Sequence, residues 1–232
     1  MHLLDQILHP VVGDDVSQPR TQIDAESLSV EVSRPVEEVH LDGGTRPLER
    51  GAGSEMQQSG VRNLAPHSYF NVVAHEPPHV VFSSSGVKDT LRNVRTTGEF
   101  VVNLVSLDVV EQMNFTATDF PPDQDEFTWA QVTAVPSQTV APPRVAEARA
   151  HLECRVKDIV PAGNGNIVIG EVTHIHVDPS VWRDGRIDPE LLDPVCRLAG
   201  TRYATLGEVF KLDRPSWSDV EGTGPGEAIP RR

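Results

Sequence analysis

Cysteine is scarce in this chain. Cys154 and Cys196 are its only two in 232 residues, too few for a disulfide framework or a thiolate zinc cluster. A reduced, cytoplasmic setting is the simplest expectation. Basic residues are also few: 20 Lys and Arg against 34 Asp and Glu leave a net charge of −14. Nucleic acid is excluded as a partner on that ground, because its phosphates need a basic face to meet. No apolar run is long enough to cross a bilayer, and no basic segment followed by an apolar stretch opens the chain, so neither a membrane span nor a signal peptide is expected. Aromatics make up 5% and hydrophobic residues 38%, modest but sufficient for one core at this length. Two motifs are missing as well. No G-x-G-x-x-G follows a strand, since the glycines at Gly222, Gly224 and Gly226 have no strand before them, which excludes a Rossmann cofactor fold. No G-x-S-x-G elbow or Ser/His/Asp constellation is present either. Any chemistry must then be carried by a bound cofactor.

The chain divides unevenly. Residues 1–59 form an atypical, poorly structured segment by composition. The first 60 residues hold eleven acidic and four basic side chains, half of the net charge of −14. Leu28, Val30, Val32, Val36, Val39 and Leu41 hint at strand alternation, interrupted by Pro35. GGTRPLERGAGSEMQQSG, from Gly43 to Gly60, has almost nothing to bury and reads as loop or disorder. Residues 60–215 carry the globular signal, and the tail 216–232 reads as disordered.

Within the middle stretch, His79 to Ser83 and Phe100 to Val105 are short valine-rich runs of the buried-strand kind. From His151 to Val160 the residues alternate: Leu152, Cys154 and Val156 on one face, His151, Glu153, Arg155 and Lys157 on a face expected to be wet. The Gly-Asn turn at 162–166 links this run to 167–177 as a hairpin. Thr90–Thr97 has Leu91 and Val94 at helical spacing and stops at Gly98. Ser106 is placed to cap a second helix with Val109, Val110 and Met113 as its buried stripe. Asp188-Pro189 has the form of a cap followed by a first-turn proline. The fold class is mostly β, an antiparallel barrel with a few short helices.

Residues 63–103 hold the candidate site. Ser83, Ser84, Ser85 and Gly86 read as a hydroxyl-rich turn after an apolar run, and Lys88-Asp89-Thr90 then opens a helix. Unpaired N–H groups and the helix dipole favour an anion at such a helix start. Lys88 adds a point charge, Thr90 with Ser83 or Ser85 adds hydroxyl donors, and Gly86 permits close backbone approach. Standing alone, such a run is more often a solvated loop capping an ordinary helix. In NLAPHSYF, Asn63 and Ser68 can donate to a ligand edge, Pro66 fixes an extended backbone, and Leu64 and Phe70 belong to the core. His174 and His176 share a strand face, but no third ligand lies nearby and Glu171 points the other way. Exposed histidines rather than a metal site are expected there.

The NLAP-S-F segment, the PP-V-FS strand, KDT--N and TGEFVVN stand here in order between Asn63 and Asn103. In that order and spacing they closely resemble the flavin reductase-like proteins with an FMN-binding split barrel, from about residue 60 to about 215. RLAGTRYATLGEVFKL matches a further block of that family, with Ala199-Gly200 where a glycine pair is usual. The resemblance implies an FMN-binding split barrel that forms a homodimer, with FMN at or near the dimer interface. It implies that Lys88 and Thr90 meet the phosphate, and that Asn63, Ala65, Ser68 and Asn71 lie along the flavin. Arg197 and Tyr203 correspond to residues near the pocket, sometimes across the subunit boundary; for Tyr203, interface packing is an equal reading. The implied activity is hydride transfer from NADH or NADPH to flavin, with no side chain named as catalytic. A non-catalytic FMN carrier of the same fold, or an interaction module that has lost its cofactor, remains open. Relatives place an apolar strand immediately before VRNLAP. Here it is either missing or supplied by residues 28 to 41.

Overall fold

The computed structural model describes residues 39–42, 61–121 and 123–224. The segments 28–38, 43–60 and 225–232, on which some of the sequence expectations fall, lie outside the described residues. Nine strands carry the fold: β1 (Val39–Asp42), β2 (Leu64–His67), β3 (Phe70–His75), β4 (Pro78–Ser85), β5 (Glu99–Leu104), the short pair β6 (Ala134–Val135) and β7 (Arg144–Val145), and the long pair β8 (Ala150–Ala162) and β9 (Gly165–Val177). Seven of them form one antiparallel sheet in the order β2-β1-β5-β8-β9-β4-β3, with β6 and β7 paired separately. The two ends of that order, β2 and β3, are consecutive in the chain and joined through Ser68 and Tyr69 alone. The sheet must therefore curl until its ends meet. The Tyr69 carbonyl accepts the Ser83 N–H at 2.9 Å, carrying the β3–β4 pairing one step into the β2–β3 turn. β2 and β3 make no ladder with each other, so the closed sheet is a split barrel, as expected.

The strand sought before VRNLAP comes from upstream. β1 pairs with β2 on one side, from Val39↔His67 to Asp42↔Leu64, and with β5 on the other, from Val39↔Leu104 to Asp42↔Val101. A barrel begun at residue 60 would lack it.

Alternating apolar residues fill the interior. Phe82 and Phe100 meet edge-on at 5.3 Å, among Val80, Leu91, Val102, Leu152 and Val168. Gly170 makes room for this pair: a Cβ there would stand 2.4 Å from the Phe100 ring. The β8–β9 ladder runs to its tip, where Ala162 pairs with Gly165 and Gly163 turns the chain at φ 59°.

The outer face of β8 is not wet along its first half. His151 is 6% exposed and Glu153 wholly buried, because the segment around 138–145 folds over them. The Glu153 carboxylate accepts the N–H groups of Gln138 (2.8 Å) and Thr139 (2.6 Å), the Thr139 hydroxyl (2.7 Å) and His176 Nε2 (2.6 Å). Burial opposes its ionisation, but the bonds from Gln138, His176 and Thr139 outweigh burial and hold its pKa at about 2. His151 gives Nε2 to the Val145 carbonyl at 2.8 Å, and burial brings its pKa to about 4. His174 and His176 were expected to be exposed. His176 is instead bonded to Glu153, and the two histidine rings lie 4.5 Å apart.

Helices are short, as expected. α1 (Asp89–Thr97) ends on Gly98 in the left-handed conformation, φ 70°, whose N–H closes onto the Val94 carbonyl. Ser106 precedes one 3-10 turn and α2 (Val110–Thr116), where Val109 and Met113 are buried and Val110 partly so; its hydroxyl bonds Asp108 rather than a backbone N–H. α3 (Glu126–Ala130) is capped by Asp125. Asp188 caps α4 (Pro189–Leu192), accepting the N–H groups of Glu190 and Leu191. In the segment read as a disordered tail, Trp217–Val220 form a single capped turn, α5, with no buried side chain. Among the described residues no helix is long and apolar enough to cross a membrane.

Candidate functional site

A cleft of about 650 Å³ opens where the end of β4, the start of α1, the β2–β3 turn and the segment after α2 converge. This size lies in the usual range for cofactor pockets. Sequence reasoning had read Ser83–Ser85 as a turn. They are the last residues of β4, paired with Ile167, Asn166 and Gly165 of β9, and the turn proper is Gly86-Val87, with Gly86 at φ 71°. Strand alternation then sends Ser84 inward, 1% exposed, while Ser83 and Ser85 take the other face.

Lys88 occupies the N-cap position of α1 in extended conformation and makes no side-chain cap bond. Lys88, Asp89 and Thr90 at the head of this nine-residue helix line the cleft, and Lys88 supplies no capping oxygen to the first-turn N–H groups. Thr90 is held by the residue just before β2, its hydroxyl accepting Asn63 Nδ2 at 3.2 Å, with both residues 2% exposed. That contact fixes the helix start against the strand and leaves the Thr90 hydroxyl proton able to donate outward. β2 is set by α3: the buried Glu126 carboxylate accepts the Leu64 N–H at 3.3 Å. Arg62 beside it binds Asp125 at 2.6 Å and lies over the Phe127 ring, 5.0 Å from its centre.

Asn63, Ala65, Ser68, Ser83, Ser85, Lys88 and Thr90, all picked from sequence, line this one cleft. Asn71, Arg197 and Tyr203 do not. Asn71 is exposed on β3, where its side chain accepts the Val72 N–H at 2.9 Å. Arg197 and Tyr203 belong to a small hairpin, β12 (Cys196–Arg197) and β13 (Tyr203–Ala204), that follows another, β10 (Trp182–Arg183) with β11 (Arg186–Ile187). The Arg197 guanidinium stacks 4.8 Å from the Tyr203 ring centre and donates to its hydroxyl at 2.7 Å. That hydroxyl donates in turn to Asn114 at 3.1 Å, so the pair braces α2.

Sequence reasoning missed His67, Glu126 and the wall from Thr116 to Phe120. His67 filled an unassigned place in the NLAP-S-F pattern. Nothing local distinguishes ATDF after α2 from an ordinary loop. Phe120 continues outward into an aromatic row, 5.9 Å from both Phe115 and Trp129.

The donor set, an uncapped helix start with a lysine, serine hydroxyls and buried polar atoms, fits a phosphorylated, hydrogen-bonding cofactor such as a flavin nucleotide. The chain is similar to several known proteins. An uncharacterised protein of Halalkalibacterium halodurans is 41% identical over 189 residues, covering 77% of this chain and 90% of its own. In structure the chain is similar to nitrilotriacetate monooxygenase component B from Bacillus cereus, at 32% identity and TM-score 0.69, covering 84% of this chain and all (100%) of that one. Flavoredoxin of Desulfovibrio vulgaris shares the fold at 20% identity and TM-score 0.66, over 83% of this chain and 97% of its own. The family profile "Flavin reductase like domain" matches residues 52–190. The chain belongs to the flavin reductase-like family of split-barrel proteins.

Proposed function

We propose that this protein is an oxidoreductase that binds FMN in the cleft and passes hydride to it from NADH or NADPH. The observation that carries the reading is the start of α1: nine residues of helix, uncapped, with Lys88 at its head, opening into the cleft that Ser68, Ser83 and Ser85 share. The phosphate sits there in this reading, held by Lys88, Thr90 and the first-turn N–H groups. The isoalloxazine edge runs along Asn63, Ala65 and Ser68. When bound, flavin supplies the hydride acceptor. The chain's residues bind and orient it, and Phe120 and the Thr116–Asp119 wall limit access of water from the outer side. No side chain is assigned as acid or base.

The functional unit in this reading is a homodimer. Tyr203 and Arg197 enter as residues presented near the neighbouring copy's site, since they do not reach the cleft of their own chain.

The test is spectroscopic. Protein purified or reconstituted with FMN should be yellow, and should bleach anaerobically when NADH or NADPH is added. Colour without bleaching by either nucleotide would establish a flavin carrier instead, and failure to take up flavin would leave an interaction module.

A further inference from the structure

Two buried polar atoms of the cleft lack partners. His67 Nε2 and Ser84 Oγ are closed off from solvent and make no hydrogen bond, although both residues line the cleft. They share one wall. The His67 ring meets Phe82 of β4 edge-on at 4.9 Å, and Ser84 follows Phe82 on the same face of that strand. Buried polar atoms are nearly always satisfied, so two orphans in one cleft mark the place of a missing hydrogen-bonding group.

The other ring nitrogen shows what that group must offer. His67 Nδ1 stands 3.5 Å from the Ser83 carbonyl oxygen. A lone pair facing that oxygen would be repelled, so Nδ1 carries a proton. In the neutral ring, Nε2 then presents only a lone pair. Burial first, and the charge of Lys88 in addition, bring the His67 pKa to about 4 against the pull of the Ser83 bond, so the ring is neutral in the free cleft. The remaining charges at the cleft are Asp89 and Arg92 from α1, paired at 2.8 Å, Asp119 after α2, and Glu126 from α3, bonded to the Leu64 N–H. β4 brings only its three serines there. A dianionic phosphate beside Lys88 would reverse the balance. It offsets the lysine's field and supplies the acceptor that an Nε2–H needs, while Nδ1–H keeps its bond to Ser83.

We propose that His67 takes up a proton when a phosphate monoester enters the cleft and, with Lys88 and the Ser84 hydroxyl, grips the phosphate, so that affinity for phosphorylated flavin rises as pH falls. This rests on the reading of the cleft as a flavin site. His67 is thereby a specificity residue for the phosphorylated over the unphosphorylated ligand.

The test is FMN and riboflavin binding by flavin fluorescence quenching from about pH 5.5 to about pH 8.5, with wild type, His67→Gln and His67→Asn. A phosphate monoester becomes a dianion above about pH 6. From there the wild-type affinity for FMN should fall by up to about tenfold per pH unit, until His67 in the complex is itself neutral. Riboflavin should bind with no such slope, and both variants should bind FMN with a flat or rising profile. Nitrogen NMR of the wild-type imidazole gives a second readout: both ring nitrogens protonated with FMN, one with riboflavin. An FMN slope unchanged in the variants, or a neutral His67 with FMN bound near pH 6, overturns the proposal and leaves the flavin site standing. Absence of flavin binding at every pH brings down the flavin reading and this inference together.

Discussion

Replacing Glu153 by Gln removes one negative charge from a site with no solvent. The carboxylate is wholly buried and accepts from Gln138, Thr139 and His176. An amide of the same shape turns two donor hydrogens toward groups that are themselves donors. The magnitude follows from the depressed pKa. Its ordinary pKa of 4.5 is held at about 2 in the fold, and each unit corresponds to about 1.4 kcal/mol, giving about 3 kcal/mol of stabilisation of the ionised form. The sign is that of a depressed carboxylate pKa: the stabilisation is complete above pH 4.5 and is lost as pH falls from there through about 2. Urea unfolding at pH 7, followed by circular dichroism, should therefore place Glu153→Gln about 2–4 kcal/mol below wild type. The gap should narrow when the comparison is repeated between pH 4.5 and the lowest pH at which both proteins fold. A variant within about 0.5 kcal/mol of wild type at pH 7, inside the ordinary scatter of surface changes, would refute the claim that this carboxylate ties the 138–139 segment to the barrel.

Lys88→Ala should remove a charge-assisted contact of about 1.5–3 kcal/mol, weakening FMN about 10- to 100-fold and riboflavin little. Equal losses for both ligands would move Lys88 away from the phosphate. Gly170→Ala drives a methyl against the Phe100 ring, at 2.4 Å before any relaxation, and should cost about 1–3 kcal/mol of stability. An unchanged melting temperature would show that Phe100 has another seat.

Much of this molecule is legible from local chemistry. Gly98 stops α1 because only a residue tolerant of positive φ closes that helix end, and Asp188-Pro189 starts α4 because the aspartate supplies the acceptor its first N–H groups need. The valine-rich runs became β4 and β5 at nearly the expected limits. What failed depends on segments distant in sequence. Ser83–Ser85 look like a turn by propensity, yet pairing with β9 extends them as strand, since tertiary context outweighs a weak β preference. Glu153 has the alternation of a wet face. The segment that covers it lies fourteen or fifteen residues earlier and binds through backbone N–H groups, which carry no side-chain signature. The cleft was legible where blocks of residues recur in the family, and opaque at His67, where the pattern leaves a gap.

The placement of β1 separates two boundaries that are usually taken as one. The family match begins at residue 52, downstream of Val39–Asp42, yet β1 is the strand through which β2 joins the sheet among the described residues. β2 in turn brings Ala65, Pro66 and His67 to the cleft. The family profile and the barrel therefore begin at different places along this chain. A chimera spliced at the edge of the family profile would inherit the cleft residues without the β1 ladder that joins β2 to the sheet. The acidic upstream region is held at four positions by backbone pairing, which asks for extended conformation and not for particular side chains.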